Sequence, residues 1–115
     1  MKNIIIILPI LISVATSNIF GSNANVTDQK EFLKLKKEVI LSNLKNINSI
    51  NYIPQDVIFI KNEGNKIIPR LNPLTKVYMP SNPKSDQFGF ILLPNLNKQK
   101  ELDQLSKIEQ ELKKL

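Results

Sequence analysis

The sequence predicts an α+β protein: an N-terminal helix, a small antiparallel β region and a C-terminal amphipathic helix, preceded by a signal peptide. Residues 25–47 and residues 97–115 each carry apolar side chains at helical spacing. Six of the 7 prolines fall between these segments, within residues 48–96, and their spacing excludes a continuous helix there. The chain of 115 residues is long enough for one domain.

Residues 1–24 have the three parts of a secretory signal peptide. Lys2 gives a basic start, a run of aliphatic residues follows, and Ser22 and Ala24 are the small residues that specify cleavage before Asn25. The alternative is an uncleaved membrane anchor, although a spanning helix needs about 20 mostly apolar residues and this run is shorter. Both interpretations predict an exported chain, either periplasmic or secreted in the first case or membrane-anchored in the second.

The segment 25–47 is predicted to form the first helix. Asp28 and Glu31 have the spacing of a capping box, with Thr27 as the alternative N-cap. Its apolar residues cover about half of the helix circumference, which is typical of a helix packed on a core. Lys36 falls inside this apolar arc, and we expect its ammonium to reach water at the edge of the face.

Residues 48–96 contain four short runs of β-forming residues between the prolines. The first run is apolar on both faces and is therefore predicted to be a central strand. Asp56, at its start, is interpreted as a turn residue because it follows Pro54 closely. The segment 80–86 is predicted to be an exposed loop. The four runs are 56–61, 66–68, 75–79 and 87–93, with a hairpin loop at 62–65.

Phe88 and Phe90 lie on one face of the fourth predicted strand. Sheet aromatics that bind RNA are usually interleaved with Arg and Lys, whereas the residues next to this pair are Gln87 and Ile91. The pattern therefore favours packing of both rings in the core over a nucleic-acid surface.

The segment 97–115 is predicted to be the second helix, with a narrow apolar seam. The seam is similar to a coiled-coil face, but about two heptads are too few to establish one. Two interpretations stay open: the seam packs on the chain's own sheet, or it binds a partner and supports an oligomer. Its members are Leu102, Leu105, Ile108, Leu112 and Leu115.

The residue types that the sequence lacks exclude several classes of site. The chain has no Cys and no His, so it cannot form disulfides, zinc thiolate sites or Cys-His and Ser-His-Asp catalytic groups. It has only 3 glycines and no glycine-rich phosphate-binding motif. We predict no catalytic residues, no metal site and no cofactor. The net charge of +6 comes from lysines with a single Arg70, which does not favour a nucleic-acid partner.

These observations predict a small exported protein that is not an enzyme and that acts by binding another protein. An accessory or structural component of a cell-envelope assembly fits them best, with membrane contact only through the N-terminal segment. One alternative is a single-pass subunit of a membrane complex. Another is a secreted inhibitor or enzyme-like protein that uses the proline-rich loop 69–86.

Overall fold

The structure is a computed structural model, which describes residues 26–115 and the backbone of residues 5–7. It confirms the predicted α+β arrangement of an N-terminal helix, antiparallel strands and a C-terminal helix. Apart from the backbone of residues 5–7, the predicted signal peptide lies outside the described residues. The described elements are β1 (Ile5–Ile7), α1 (Val26–Lys45), β2 (Gln55–Ile60), β3 (Gly64–Pro69), β4 (Leu74–Tyr78), β5 (Phe90–Pro94) and α2 (Lys98–Lys114).

The first sheet has the strand order β1-β2-β3, and both pairings are antiparallel. The sequence predicts that the run apolar on both faces forms a central strand. This run is β2, which lies between β1 and β3, so the prediction is confirmed. Val57 and Ile58 are fully buried in it because neighbours cover both faces. The turn to β3 ends at Gly64, whose φ of 90° is a conformation that glycine adopts without a steric cost.

The second sheet is a hairpin of β4 and β5, in which Tyr78 pairs with Phe90 and Val77 pairs with Ile91. Strand β5 begins at Phe90, so Phe88 lies outside it, in the preceding turn. Phe88 is 70% exposed, and the prediction that it packs in the core is wrong. The physical reason is a turn that leaves Phe88 outside the sheet.

The hydrophobic core lies where α1 and α2 pack on each other and α1 packs on β2. Burial of these side chains supplies the main favourable free energy of folding, at roughly 25 cal/mol for each Å² of apolar surface. The fully covered members of this cluster are Phe32, Leu33, Val39, Ile40, Val57 and Ile108.

Helix α1 begins within one residue of the predicted start of the segment 25–47. It starts at Val26 and not at a cap formed by Thr27 or Asp28, which both lie inside its first turn, so the capping-box interpretation is wrong. A carboxylate in the first turn still interacts favourably with the positive end of the helix dipole. Helix α2 begins after Asn97, whose side chain accepts a hydrogen bond from the Lys100 N–H.

Candidate protein-interaction surface

The interior contains an ion pair between α1 and β2. Lys36 Nζ donates to Asp56 Oδ1, and both side chains are almost completely buried. The same carboxylate oxygen accepts a hydrogen bond of 2.8 Å from the Val57 N–H. Burial lowers the pKa of the Lys36 ammonium below its ordinary value, and the attraction of the Asp56 carboxylate partly offsets this effect. Lys36 therefore does not reach water, and Asp56 is a buried strand residue, so both sequence interpretations are wrong.

A second ion pair joins the chain after β3 to the start of α2. Two nitrogens of Arg70 donate to the two carboxylate oxygens of Glu101, each over 2.8 Å. The Arg70 Nε also donates to the Gln55 carbonyl oxygen over 3.2 Å. Burial of Arg70 opposes its charge, but the paired Glu101 outweighs this and raises the pKa of the guanidinium. The arrangement therefore holds β2, the end of β3 and α2 in one geometry.

Asn43 completes the buried polar contacts between α1 and β2. Its side-chain nitrogen donates to the Gln55 carbonyl oxygen over 2.9 Å, and its oxygen accepts from the Gln55 N–H over 3.1 Å. The Tyr52 hydroxyl donates to the same Asn43 oxygen over 3.0 Å. Asn43 thus satisfies backbone groups at the first residue of β2, which would otherwise lose hydrogen bonds on burial.

Each of these buried charges is paired with an opposite charge on another element, so the pairs hold the elements together. Among residues 26–115, no three acidic, histidine or cysteine side chains form a group that could hold a metal ion. No helix of the described part of the chain is both long and apolar enough to cross a membrane.

The β4–β5 hairpin exposes an aromatic surface. The Tyr78 and Phe90 rings meet edge to face with their centroids 5.3 Å apart, and Lys76 Nζ lies 5.6 Å from the Phe90 centroid. Tyr78 is 64% exposed and Leu92 is 37% exposed, and the exposed Phe88 follows in the adjoining turn. We call these five residues the hairpin surface. Large exposed aromatic side chains are typical of protein interfaces.

The turn before β5 positions the hairpin surface. The Asp86 carboxylate accepts hydrogen bonds from the Phe88 N–H over 2.9 Å and from the Phe90 N–H over 3.0 Å. These hydrogen bonds hold the pKa of Asp86 below its ordinary value, and the one from the Phe90 N–H has the larger effect. Gly89 has a φ of 89°, and a Cβ at this position would lie 2.8 Å from Tyr78 Cε1. Glycine therefore lets the backbone pass beneath the Tyr78 ring.

The seam predicted on the second helix faces α1 over most of its length. Ile108 is fully buried in the core, and three more members pack against that core while partly exposed: Leu105, Leu112 and Leu115. Leu102 is the most exposed member, at 39%. Binding of a partner by this seam stays a prediction. The predicted cleavage residues, Ser22, Ala24 and Asn25, lie outside the described residues.

Two sequence signals point to features that sequence reasoning missed. Lys36 falls inside an apolar arc, and such a position calls for a buried carboxylate from another element. Arg70 is the single arginine, and an isolated arginine among many lysines suits a bidentate carboxylate contact. Neither signal identifies the carboxylate that forms the ion pair. Asp56 is 20 positions from Lys36, and Glu101 is 31 positions from Arg70.

Comparison with known proteins adds evidence of a different kind. No family model matches the chain. The chain is 38% identical over 98 residues to the flagellar basal-body rod protein FlgC of Buchnera aphidicola subsp. Schizaphis graminum, covering 70% of this chain and 68% of that protein. The chain belongs to the FlgC family of flagellar basal-body rod proteins. Membership of the FlgC family agrees, at the level of the family, with the predicted component of a cell-envelope assembly.

Proposed function

We propose that this protein is a structural subunit of a flagellar basal-body rod, that it is not an enzyme, and that it acts by binding other protein subunits. The observation that carries the proposal is the identity of 38% with a flagellar basal-body rod protein over two thirds of that protein's length. The aligned part is too long to represent one shared helix or hairpin.

The surface of the chain supports a role in assembly. The hairpin surface leaves Tyr78 and Phe88 mostly in water, which has a free-energy cost that contact with another protein would remove. Elsewhere in the chain, buried ion pairs and the Asn43 contacts fix the helices against β2. Phe88 itself lies in a turn that two hydrogen bonds to Asp86 hold in place, which limits the conformational entropy that this turn loses on binding.

Export belongs to the same proposal. The predicted segment 1–24 would direct the chain across a membrane, either cleaved before Asn25 or retained as an anchor. The intact mass of the protein from cells distinguishes the two forms, because cleavage removes residues 1–24. Recovery of the uncleaved chain from the membrane fraction would support the anchor, and recovery of the uncleaved chain from the cytoplasm would contradict export.

Isolation of basal bodies tests the proposed function. We expect an epitope-tagged chain, produced in a flagellated bacterium that lacks its own FlgC, to be recovered with detergent-extracted basal bodies. Phe88→Ser should reduce this recovery, whereas Leu71→Ser, at a position that is 85% exposed and outside the hairpin surface, should leave it unchanged. Recovery of the unchanged chain only in fractions without basal bodies would overturn the proposal.

A further inference from the structure

The outer edge of β5 is covered by the chain itself. The Phe90 N–H donates to the Asp86 carboxylate over 3.0 Å, and the Phe90 carbonyl oxygen accepts from the Asp86 N–H over 2.8 Å. The Leu92 carbonyl oxygen accepts a hydrogen bond of 2.9 Å from the Asn51 N–H. A further strand would need these backbone groups, so pairing on this side of the hairpin is blocked.

The orientation of β4 follows from hydrogen bonds at the two ends of the hairpin. The Met79 N–H donates to the Gly89 carbonyl oxygen over 2.9 Å, and the Asn95 N–H donates to the Pro73 carbonyl oxygen over 2.8 Å. In an antiparallel ladder, residues that bond to the neighbouring strand alternate with residues that do not. Pro73 and Met79 bond next to β5, so the residues of β4 with even numbers direct their N–H and carbonyl groups away from β5.

The backbone groups on the outer edge of β4 are open. Within the described residues, β4 pairs with β5 alone. Lys76 and Tyr78 have even numbers, and in residues 26–115 their N–H and carbonyl groups form no hydrogen bond with a turn or loop. Both residues are exposed. This edge is therefore suited to the addition of a strand from another chain.

Two prolines limit the strand that this edge accepts. Pro73 and Pro80 flank β4, and a proline has no N–H to donate to a ladder. The edge accordingly fits an extended segment of about the length of β4, which has 5 residues. A second copy of β4 has this length and presents the same open edge.

A second copy of β4 is complementary to this edge when a two-fold axis passes through Val77. Two antiparallel strands then place Lys76 of each copy opposite Tyr78 of the other, and these residues exchange both of their backbone hydrogen bonds. The Lys76 ammonium and the Tyr78 ring of the second copy become direct neighbours on one face of the sheet, which is a favourable cation–aromatic pair. Val77 meets Val77 on the other face, at a position where opposite side chains are closest.

Other registers are less favourable. An axis at Lys76 would place the two Lys76 side chains opposite each other, and like charges in this position destabilise a sheet. An axis at Tyr78 would place Lys76 opposite Pro80, which cannot donate a hydrogen bond. An axis at Thr75 would place Tyr78 opposite Asn72, whose φ of 48° is not that of a strand. Charge and backbone geometry therefore both favour the first register.

We propose that two copies of this chain pair through the outer edges of β4, antiparallel and about Val77, to form one sheet in the order β5-β4-β4-β5. The contact uses the same edge in both copies, and the chain itself covers the outer edge of each β5, so the contact closes at the dimer. The inference goes beyond the proposed function, because the chain alone forms this contact. The two hairpin surfaces become one face, which stays open to other proteins.

Cysteine cross-linking tests the register directly, because the chain has no cysteine of its own. In Val77→Cys the two Cα atoms would lie about 4.5 Å apart, within the range of about 4.4–6.8 Å that a disulfide spans. The matched control is Thr75→Cys, which is on the same face of the strand and more exposed, but whose two copies would lie at least about 13 Å apart. We expect mild oxidation to convert Val77→Cys to a covalent dimer at least about tenfold faster than Thr75→Cys.

Lys76→Pro and Lys76→Ala separate the backbone contact from the side-chain contact. Both remove the ammonium group, but only proline removes the outward N–H, and neither removes a hydrogen bond between β4 and β5. In sedimentation velocity, Lys76→Pro should weaken dimerisation at least about tenfold relative to Lys76→Ala. NMR amide exchange verifies the fold of both variants, because the Val77 N–H, which is bonded to β5, should stay protected.

The unchanged chain, in the form that accumulates in cells, provides the third measurement. Sedimentation velocity should show monomer and dimer, with the dimer increasing with protein concentration. The Lys76 and Tyr78 N–H groups should gain protection from amide exchange as the dimer forms. The Val77 N–H should be protected at every concentration, since it is bonded within the hairpin.

Several outcomes would overturn the contact. They are a chain that stays monomeric at every concentration, equal cross-linking rates of Val77→Cys and Thr75→Cys, and Lys76 and Tyr78 amides that gain no protection in the dimer. Faster cross-linking of Lys76→Cys than of Val77→Cys would overturn the register. A monomeric chain whose Val77→Cys variant cross-links to a different protein would assign the edge to that protein and overturn the contact between copies.

The proposed function and this contact fail separately. Recovery with basal bodies is measured on the assembled structure, whereas the dimer is measured on the purified chain. Dimerisation without recovery would overturn the function and leave the contact. Recovery without dimerisation would overturn the contact and leave the function.

Discussion

Lys36 and Asp56 form an ion pair in the interior, between the middle of α1 and the start of β2, with side-chain exposures of 1% and 7%. Taking two charges out of water has a large free-energy cost, which their attraction and hydrogen bonds must offset. The pair therefore contributes little net stability as a unit. Replacement of only one of the two residues, however, leaves the other charge buried without a partner.

Lys36→Met should lower the free energy of unfolding by about 3–5 kcal/mol, because Asp56 then remains buried without its cation. Adding Asp56→Leu should recover most of this loss, since the pair is replaced by apolar side chains. The matched control is Lys34→Met, on the exposed side of the same helix, which should change stability by less than about 0.5 kcal/mol. Urea unfolding measures all three. A single variant as stable as the parent would contradict the burial of this pair.

Arg70→Lys should destabilise the protein by about 1–3 kcal/mol, although it keeps the positive charge. A lysine ammonium cannot reproduce the two parallel hydrogen bonds to Glu101, whose side chain is 5% exposed, nor the contact with the Gln55 carbonyl. Lys114→Ala is the control, because its ion pair with Glu111 is 3.8 Å long and Lys114 is 72% exposed. We expect it to cost less than about 1 kcal/mol. Equal effects of the two changes in urea unfolding would count against the bidentate contact.

Gly89→Ala and Gly64→Ala separate backbone strain from steric overlap. Both glycines have φ near 90°, so both changes force alanine into a conformation that costs about 1–2 kcal/mol. At Gly64 a Cβ would meet nothing within 4 Å, whereas at Gly89 it would lie 2.8 Å from the Tyr78 ring. Gly89→Ala should therefore cost at least about 1 kcal/mol more. Thermal unfolding and the NMR shifts of the Tyr78 ring measure the difference, and equal costs would show that the ring does not lie over Gly89.

Asp86 should titrate below its ordinary pKa of 3.8, since the Phe90 and Phe88 N–H groups stabilise its charged form. The folded chain then binds fewer protons here than the unfolded chain, so the contribution of Asp86 to stability is present above pH 3.8 and is lost as the pH falls through the folded pKa. Carboxyl-carbon NMR gives this pKa directly. The amide shifts of Phe88 and Phe90 should follow the same titration and lose it in Asp86→Asn. A pKa at or above 3.8 would contradict the turn geometry.

The sequence by itself determined the order and type of the elements. Helical periodicity, proline spacing and a run that is apolar on both faces are local properties, and they correctly predicted the two helices and the central strand β2. The seam of α2 was also predicted, but its sequence left open whether the chain's own sheet or a partner covers it, and in the structure the element that α2 packs on is α1. The structure buries Ile108 against the chain's own core.

Only the tertiary structure decided which polar residues enter the interior. Lys36 meets a carboxylate 20 positions away, and Arg70 meets one 31 positions away. No local pattern encodes such a partner, because the free energy of burying a charge depends on what another element brings to it. Phe88 shows the converse. Its neighbours have the pattern of a strand, but hydrogen bonds from the turn to Asp86 place its ring outside the sheet and on the hairpin surface.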